Sequence, residues 1–191
     1  DNVYSFLSGK SDLTICDIGA NLGLTSMYFS RFAKQIYALE PSSEHFANLQ
    51  KNIEYNKLDH VKAINKAIFT ESGKFPFGGP PQNKTMRSLH MATWENGKPI
   101  ETVDVITLPD LFAEEKIDHV DLLKVDIEGN EVELFSSRSF SAVADKIDMI
   151  LTEVHSWSCR NNNQLLEALK ENGFEVSKVP NQAELVFAKR K

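Results

Sequence analysis

Seven residues near the start of the chain, Asp17-Ile18-Gly19-Ala20-Asn21-Leu22-Gly23, limit most strongly what it can fold into. They follow the apolar run Leu13-Thr14-Ile15-Cys16 and precede a helical pattern beginning near Leu24. Strand, glycine turn and helix in succession bring backbone N–H groups close to a ligand. Glycine at 19 and 23 permits a tight turn and close approach, since neither carries a Cβ. A dinucleotide is not the expected ligand. Its fingerprint needs G-x-G-x-x-G, and the first glycine position is Asp17 here, whose carboxylate repels a pyrophosphate. A second acid, Glu40, closes the next apolar run, Ile36-Tyr37-Ala38-Leu39, where folds of this kind carry a ribose-binding carboxylate. A nucleoside with a cationic tail satisfies both acids, and S-adenosylmethionine has that chemistry.

The rest of the chain alternates strands and helices. The first strand is expected over about 13–18 and its helix over 24–34, with Leu24, Met27, Tyr28 and Phe32 on one apolar face. A second strand over 35–40 leads through Pro41-Ser42-Ser43 into a helix that buries Phe46, Leu49 and Ile53. Ser42 and Ser43 read equally as simple caps or as groups near a nucleoside. Val61 to Ile68 reads as the third strand. Between about 70 and 100 the turn residues Gly73, Gly78-Gly79-Pro80-Pro81 and Gly97-Lys98-Pro99 interrupt every stripe. Phe75, Phe77, Met86, Leu89, Met91 and Trp94 are spaced among polar residues there, as in a hairpin-rich insertion that covers a site or simply forms a sheet edge.

Further on, a short strand at 103–106 precedes a helix marked by Leu108, Leu111 and Phe112. The run 120–126 is apolar enough to be covered on both faces, and a helix with Val132, Leu134 and Phe135 follows it. A strand over 147–154 ends in Glu153-Val154-His155. A helix over 163–172 stops at Gly173, and the runs 174–179 and 185–189 pair through Pro180-Asn181. The alternation predicts a doubly wound α/β sheet with ligands at the carboxyl ends of its strands. One domain spanning residues 1–191 is expected, with an insertion at about 70–100.

Composition narrows the partners. A formal net charge of −6 argues against nucleic acid, which needs a basic face. No apolar stretch reaches the roughly 18 residues of a membrane span, so no membrane partner is expected. The two cysteines, Cys16 in an apolar strand and Cys159 in a polar loop, do not form a disulfide framework. They suggest a reducing compartment, the cytoplasm. The start, Asp1-Asn2-Val3-Tyr4, has neither an initiator Met nor a signal-peptide pattern, and reads as a trimmed chain or fragment. Oligomeric state stays open.

Four segments in order carry a more specific likeness: Asp17 to Gly23, Leu39-Glu40-Pro41-Ser42, the run Leu123-Lys124-Val125-Asp126-Ile127-Glu128-Gly129-Asn130-Glu131, and Thr152-Glu153-Val154-His155. Together they resemble the FkbM family of S-adenosylmethionine-dependent methyltransferases, from about Leu13 to Lys189. The resemblance implies a class I methyltransferase fold, a mostly parallel seven-stranded sheet ending in an antiparallel hairpin. It implies that Asp17, Gly19, Ala20, Asn21 and Gly23 surround the methionine part of the cofactor. It implies Glu40 on the ribose hydroxyls, Pro41 and Ser42 beside the adenosine, Lys66 and Ala67 by the adenine, and Asp126 at the methionine end and the reaction centre. The lid helices of larger methyltransferases are nearly absent.

The charged residues at the strand ends suggest the chemistry. Lys124 and Asp126 share one face of their strand, as do Glu153 and His155 of theirs. Lys124 reads as a structural counter-ion for Asp17 or Asp126. Methyl transfer to a hydroxyl needs a proton acceptor, and His155, oriented by Glu153, is the expected general base, with Asp126 nearby. In a competing arrangement, Asp126, Glu153 and His155 hold Mg²⁺ or Mn²⁺, which lowers the pKa of a bound hydroxyl. Catechol-type O-methyltransferases resemble it. Glu128 and Glu131 are expected to favour the N-terminus of the following helix, and His45, His60, His90 and His119 show no companions. The expected activity is O-methylation of a small-molecule or sugar hydroxyl. The alternatives are a non-catalytic cofactor-binding or partner module and a nicotinamide-dependent oxidoreductase, which Asp17 and the missing glycine disfavour.

Overall fold

In a computed structural model, residues 4–79, 87–89, 98–155, 162–179, 182 and 184–191 are described. The strands are β1 (Leu13–Ile18), β2 (Ala33–Leu39), β3 (Val61–Ile64), β4 (Ala67–Ile68), β5 (Gly73–Gly79), β6 (Lys98–Ile106), β7 (Val120–Val125), β8 (Ile147–Glu153), β9 (Phe174–Lys178) and β10 (Leu185–Arg190). The α-helices are α1 (Leu24–Phe29), α2 (Ser43–Tyr55), α3 (Leu108–Glu115), α4 (Glu131–Phe135), α5 (Arg138–Ser141) and α6 (Asn162–Glu171).

Seven strands form one sheet in the order β3-β2-β1-β7-β8-β10-β9. The first five run parallel, and β10 is antiparallel to both of its neighbours. This is the doubly wound α/β sheet with a C-terminal antiparallel hairpin that the sequence predicts. Alternate side chains supply its two cores. Ile15, Ile36 and Leu122 pack on one face with Phe29 and Leu49. Cys16, Leu39 and Leu123 pack on the other with Phe135, Phe140 and Leu169. Burial of this kind contributes roughly 25 cal/mol per Å² of apolar surface. It also accounts for the mostly apolar sequence of β7, which is covered on both faces.

Three expected boundaries are corrected. The first helix ends at Phe29 rather than near 34, because Phe32 O accepts from Leu13 N at 3.0 Å and the chain enters β2 at Ala33. Its buried residues are Ser26 and Phe29, whereas Leu24 is 68% exposed. The third strand is two: Asn65 turns its side-chain amide onto Glu40 O (2.8 Å) and Pro41 O (3.0 Å), so the chain leaves the large sheet after Ile64. Ala67–Ile68 then pairs with β6 in a second sheet, ordered β4-β6-β5. The strand expected at 103–106 begins at Lys98, where β6 runs antiparallel to β5. The short helix α5 and a 3-10 turn at Ala144–Lys146 had no sequence signal strong enough to predict them. Met86, Met91, Trp94, Cys159, and the turn at Pro180-Asn181 lie outside the described residues.

Candidate active site

The glycine turn closes onto the end of β2 through Gly19 N and Ala20 N, which donate to Leu39 O at 3.0 and 2.9 Å. Gly19 has φ 76°, and a Cβ there would lie 1.8 Å from the Asp126 carbonyl oxygen, so no other residue fits. Asn21 has φ 51°, a left-handed conformation that asparagine tolerates. That conformation aims its N–H at Glu40 Oε2, 2.9 Å away. Ser42 N donates to the other oxygen, Oε1, also at 2.9 Å. The Glu40 carboxylate is thereby fixed in the wall of a cleft at the carboxyl ends of the strands. Burial raises its pKa to about 7, against the pull of the Ser42 and Asn21 amides.

Of the residues expected around the cofactor, Gly19, Asn21, Glu40, Pro41, Lys66, Ala67 and Asp126 line this cleft. Asp17, Ala20, Gly23 and Ser42 do not. Asp17 is fully buried, with Oδ2 accepting from Ser26 Oγ at 2.6 Å and Oδ1 3.2 Å from Lys124 Nζ. Its charge is already balanced inside the protein, so the argument that two acids meet a cationic ligand applies directly to Glu40 alone. Lys124 also donates to Gly19 O at 3.0 Å and stands 3.6 Å from Asp126 Oδ2. Burial lowers its pKa, but Asp17 and Asp126 outweigh that and hold it above the ordinary lysine value. Lys124 is the counter-ion the sequence suggested, and it pins the glycine turn as well.

At the end of β7 the arrangement differs from the expected one. Glu131 is fully buried and reaches back to accept from Ile127 N (3.1 Å) and Gly129 N (3.0 Å). It also lies 3.0 Å from His155 Nδ1. Glu131 therefore ties the turn together rather than merely favouring a helix dipole. His155 Nε2 faces Glu128 Oε2 at 3.3 Å and Asp126 Oδ1 at 3.8 Å. Burial lowers the His155 pKa, yet the Glu131 contact and the surrounding carboxylates override it and raise it to about 9. That shift favours the protonated imidazole, which cannot accept a proton, and so weighs against the general-base role expected of His155. Burial and then Asp126 raise the pKa of Glu153, its expected orienting partner, while the His155 charge lowers it. The donor atoms that gather within 4.8 Å of one another are those of Asp126, Glu128 and His155, with Glu128 where Glu153 was expected.

Several cleft residues were missed. Glu128 lines it from a left-handed backbone (φ 51°), and burial raises its carboxyl pKa to about 7. His45 was read as lacking companions, but its Nδ1 is 3.8 Å from Glu40 Oε1. Its place one turn after the Ser42 cap could have signalled that. Burial and then Arg87 lower its pKa. Arg87 and Ser88 line the cleft too, as do Phe77 and Leu89 of the insertion expected to cover a site or form a sheet edge. Likewise His119, expected to stand alone, pairs with Asp148 at 3.1 Å on the exposed opposite end of the large sheet.

A seven-stranded sheet with this strand order, a glycine turn after its first strand and an acid closing its second is the class I methyltransferase architecture. Within that class the chain belongs to the FkbM methyltransferase family, whose domain model matches residues 17–176. It is similar to the methyltransferase sdnD of Sordaria araneosa, 27% identical over the whole of this chain and 86% of that protein. The hexuronic acid methyltransferase AglP of Haloferax volcanii is 21% identical over 95% of this chain and 72% of its own length. Among solved structures, the FkbM methyltransferase of Methylobacillus flagellatus KT superimposes with a TM-score of 0.64 at 13% identity over 93% of this chain. This chain spans 43% of that one. No described helix is long and apolar enough to cross a membrane.

Proposed function

We propose that this chain binds S-adenosylmethionine in the cleft and transfers its methyl group to a hydroxyl of a small molecule or sugar. The observation that carries the reading is Glu40, a carboxylate fixed by two backbone N–H groups in the cleft wall. Each oxygen keeps a lone pair that can accept from one hydroxyl of a ribose diol, and those bonds favour the ionised form that burial disfavours. Pro41, Lys66 and Ala67 then flank the adenosine, and Gly19 and Asn21 the methionine part. Asp17, Ala20, Gly23 and Ser42 act from beneath by holding those groups in place. The membership of AglP among the relatives is consistent with a carbohydrate acceptor.

Asp126, Glu128, Glu153 and His155 form the reaction end. Proton acceptance passes from His155 to a carboxylate, and Glu128 suits it because its pKa near 7 matches an operating pH near neutrality. The His155 cation, oriented by Glu131, balances the charge of that carboxylate. With the imidazole neutral instead, Asp126, Glu128 and His155 have the donor types of a divalent-ion site, and an ion held there would lower the pKa of a bound hydroxyl. Calorimetry with S-adenosylhomocysteine tests the reading. The wild type should bind it, and Glu40→Gln should weaken binding by about tenfold or more, the scale of one charge-assisted hydrogen-bond pair. Equal affinity in the two proteins would remove the ribose assignment, and with it the main support for the cofactor.

A further inference from the structure

Phe77 and the segment Arg87-Ser88-Leu89 line the cleft beside β4 and have no role in the reading above. Phe77 belongs to β5, and the segment Arg87-Ser88-Leu89 is held to that strand by reciprocal bonds, Gly78 N to Ser88 O (3.2 Å) and Ser88 N to Gly78 O (2.9 Å). Glycine is required at 78 because a Cβ would lie 2.0 Å from Lys98 O. From this segment the Arg87 side chain, only 7% exposed, reaches across to the start of α2. Nη1 donates to Ser42 Oγ at 2.9 Å and Nη2 to Glu44 Oε2 at 3.1 Å. Ser42 is the residue whose N–H fixes Glu40. One buried guanidinium thus fastens the small sheet to the ribose-binding corner of the large one.

The chemistry of the enclosed space identifies an occupant. Pro41, just after β2 of the large sheet, and Ala67 and Ile68, on β4 of the small sheet, give it apolar surface, as do Phe77 and Leu89. Arg87 carries an Nε–H that is buried without an acceptor among the described residues. Flat apolar walls with a buried donor among them suit a purine, which has aromatic faces and acceptor nitrogens at its edge. We infer that Phe77 and the segment Arg87–Leu89 form an adenosine clamp, in which Arg87 latches the small sheet over the nucleoside of the cofactor. The inference rests on the cofactor reading above and extends it to residues outside the methyltransferase sheet.

Calorimetry with two probes tests the clamp: S-adenosylhomocysteine, and 5′-methylthioadenosine, which keeps the nucleoside and lacks the amino-acid part. Leu89→Ala and Arg87→Ala should each weaken both probes by the same factor, about tenfold. Arg87→Lys, which keeps the charge and most of the packing but loses the planar fork, should also weaken both. It serves as the readout if Arg87→Ala fails to fold. Unchanged affinity in all three variants overturns the clamp while leaving the cofactor reading intact. So does weakening of S-adenosylhomocysteine alone, since the contact would then be to the amino-acid end. Absence of any binding by the wild type removes the cofactor reading itself, and the clamp with it.

Discussion

His155 stands among the carboxylates of Glu131, Glu128 and Asp126, and this residue shows how little of a site's protonation a sequence can carry. A histidine two residues after Glu153 on one strand face suggests an Asp/Glu–His base pair. The partners that decide its charge arrive from the turn after β7 instead, through a Glu131 side chain that bends back on its own segment. The consequence for stability has a definite sign. Below the unfolded pKa of about 6.5 both states carry the proton and the contribution of His155 is complete. As pH rises toward the folded value of about 9 the unfolded state loses that proton first, and the stabilisation disappears. Wild type should therefore exceed His155→Gln in stability by about 1–2 kcal/mol at pH 6, after allowance for screening by water. The gap should close by pH 9.5 in urea unfolding series. A gap independent of pH would mean that the ring contributes by packing and not by charge.

At the scale of elements, the strands that pair in parallel were readable because both their faces are largely buried and their sequences are mostly apolar, as in 120–125 and 147–153. The glycine turn was readable because positive φ leaves few residue choices. What escaped notice depended on partners distant in sequence. Nothing local in Val61–Ile68 announces that Asn65 will bond to Glu40 O and Pro41 O and split the strand between two sheets. Arg87 likewise reaches the cleft only through the pairing of Ser88 with Gly78. The turn between β7 and α4 is a third case, and it can be tested as a unit. Glu131 accepts from two backbone N–H groups there with no exposure to water. Glu131→Gln replaces an acceptor with a donor facing those N–H groups and leaves His155 without its counter-charge. It should cost about 2–4 kcal/mol in chemical denaturation. Glu133→Gln, two residues on and exposed, should stay within about 0.5 kcal/mol of wild type. Equal effects of the two would show that the turn is held by something other than its buried carboxylate.

For the molecule as a whole, the question is whether the two sheets behave as one body when the cleft is filled. The large sheet packs on both faces, and Ile68 of β4 and Ile106 of β6 join one of those cores, whereas Ala67, Phe77, Val103 and Val105 form a separate small cluster. Between them run β4, the Arg87 contacts and the Ser43 bonds to Glu101. Exposed hydrogen bonds of the last kind contribute little. The small sheet should accordingly open at lower free energy than the large one in the unliganded protein. A ligand held only by the large sheet would leave that difference in place, whereas one gripped from both sides must couple them. At a hundredfold excess over its Kd, S-adenosylhomocysteine should stabilise the folded state by about 2.7 kcal/mol. That corresponds to a rise of about 5–10 °C in Tm for a domain of this size. Hydrogen exchange then separates the cases. With both sheets engaged, amides of β5 and β6 should slow by as much as those of β1 and β2. A rise in Tm with protection confined to the large sheet would mean that the nucleoside sits on the glycine turn and Glu40 alone, and that the small sheet is a bystander.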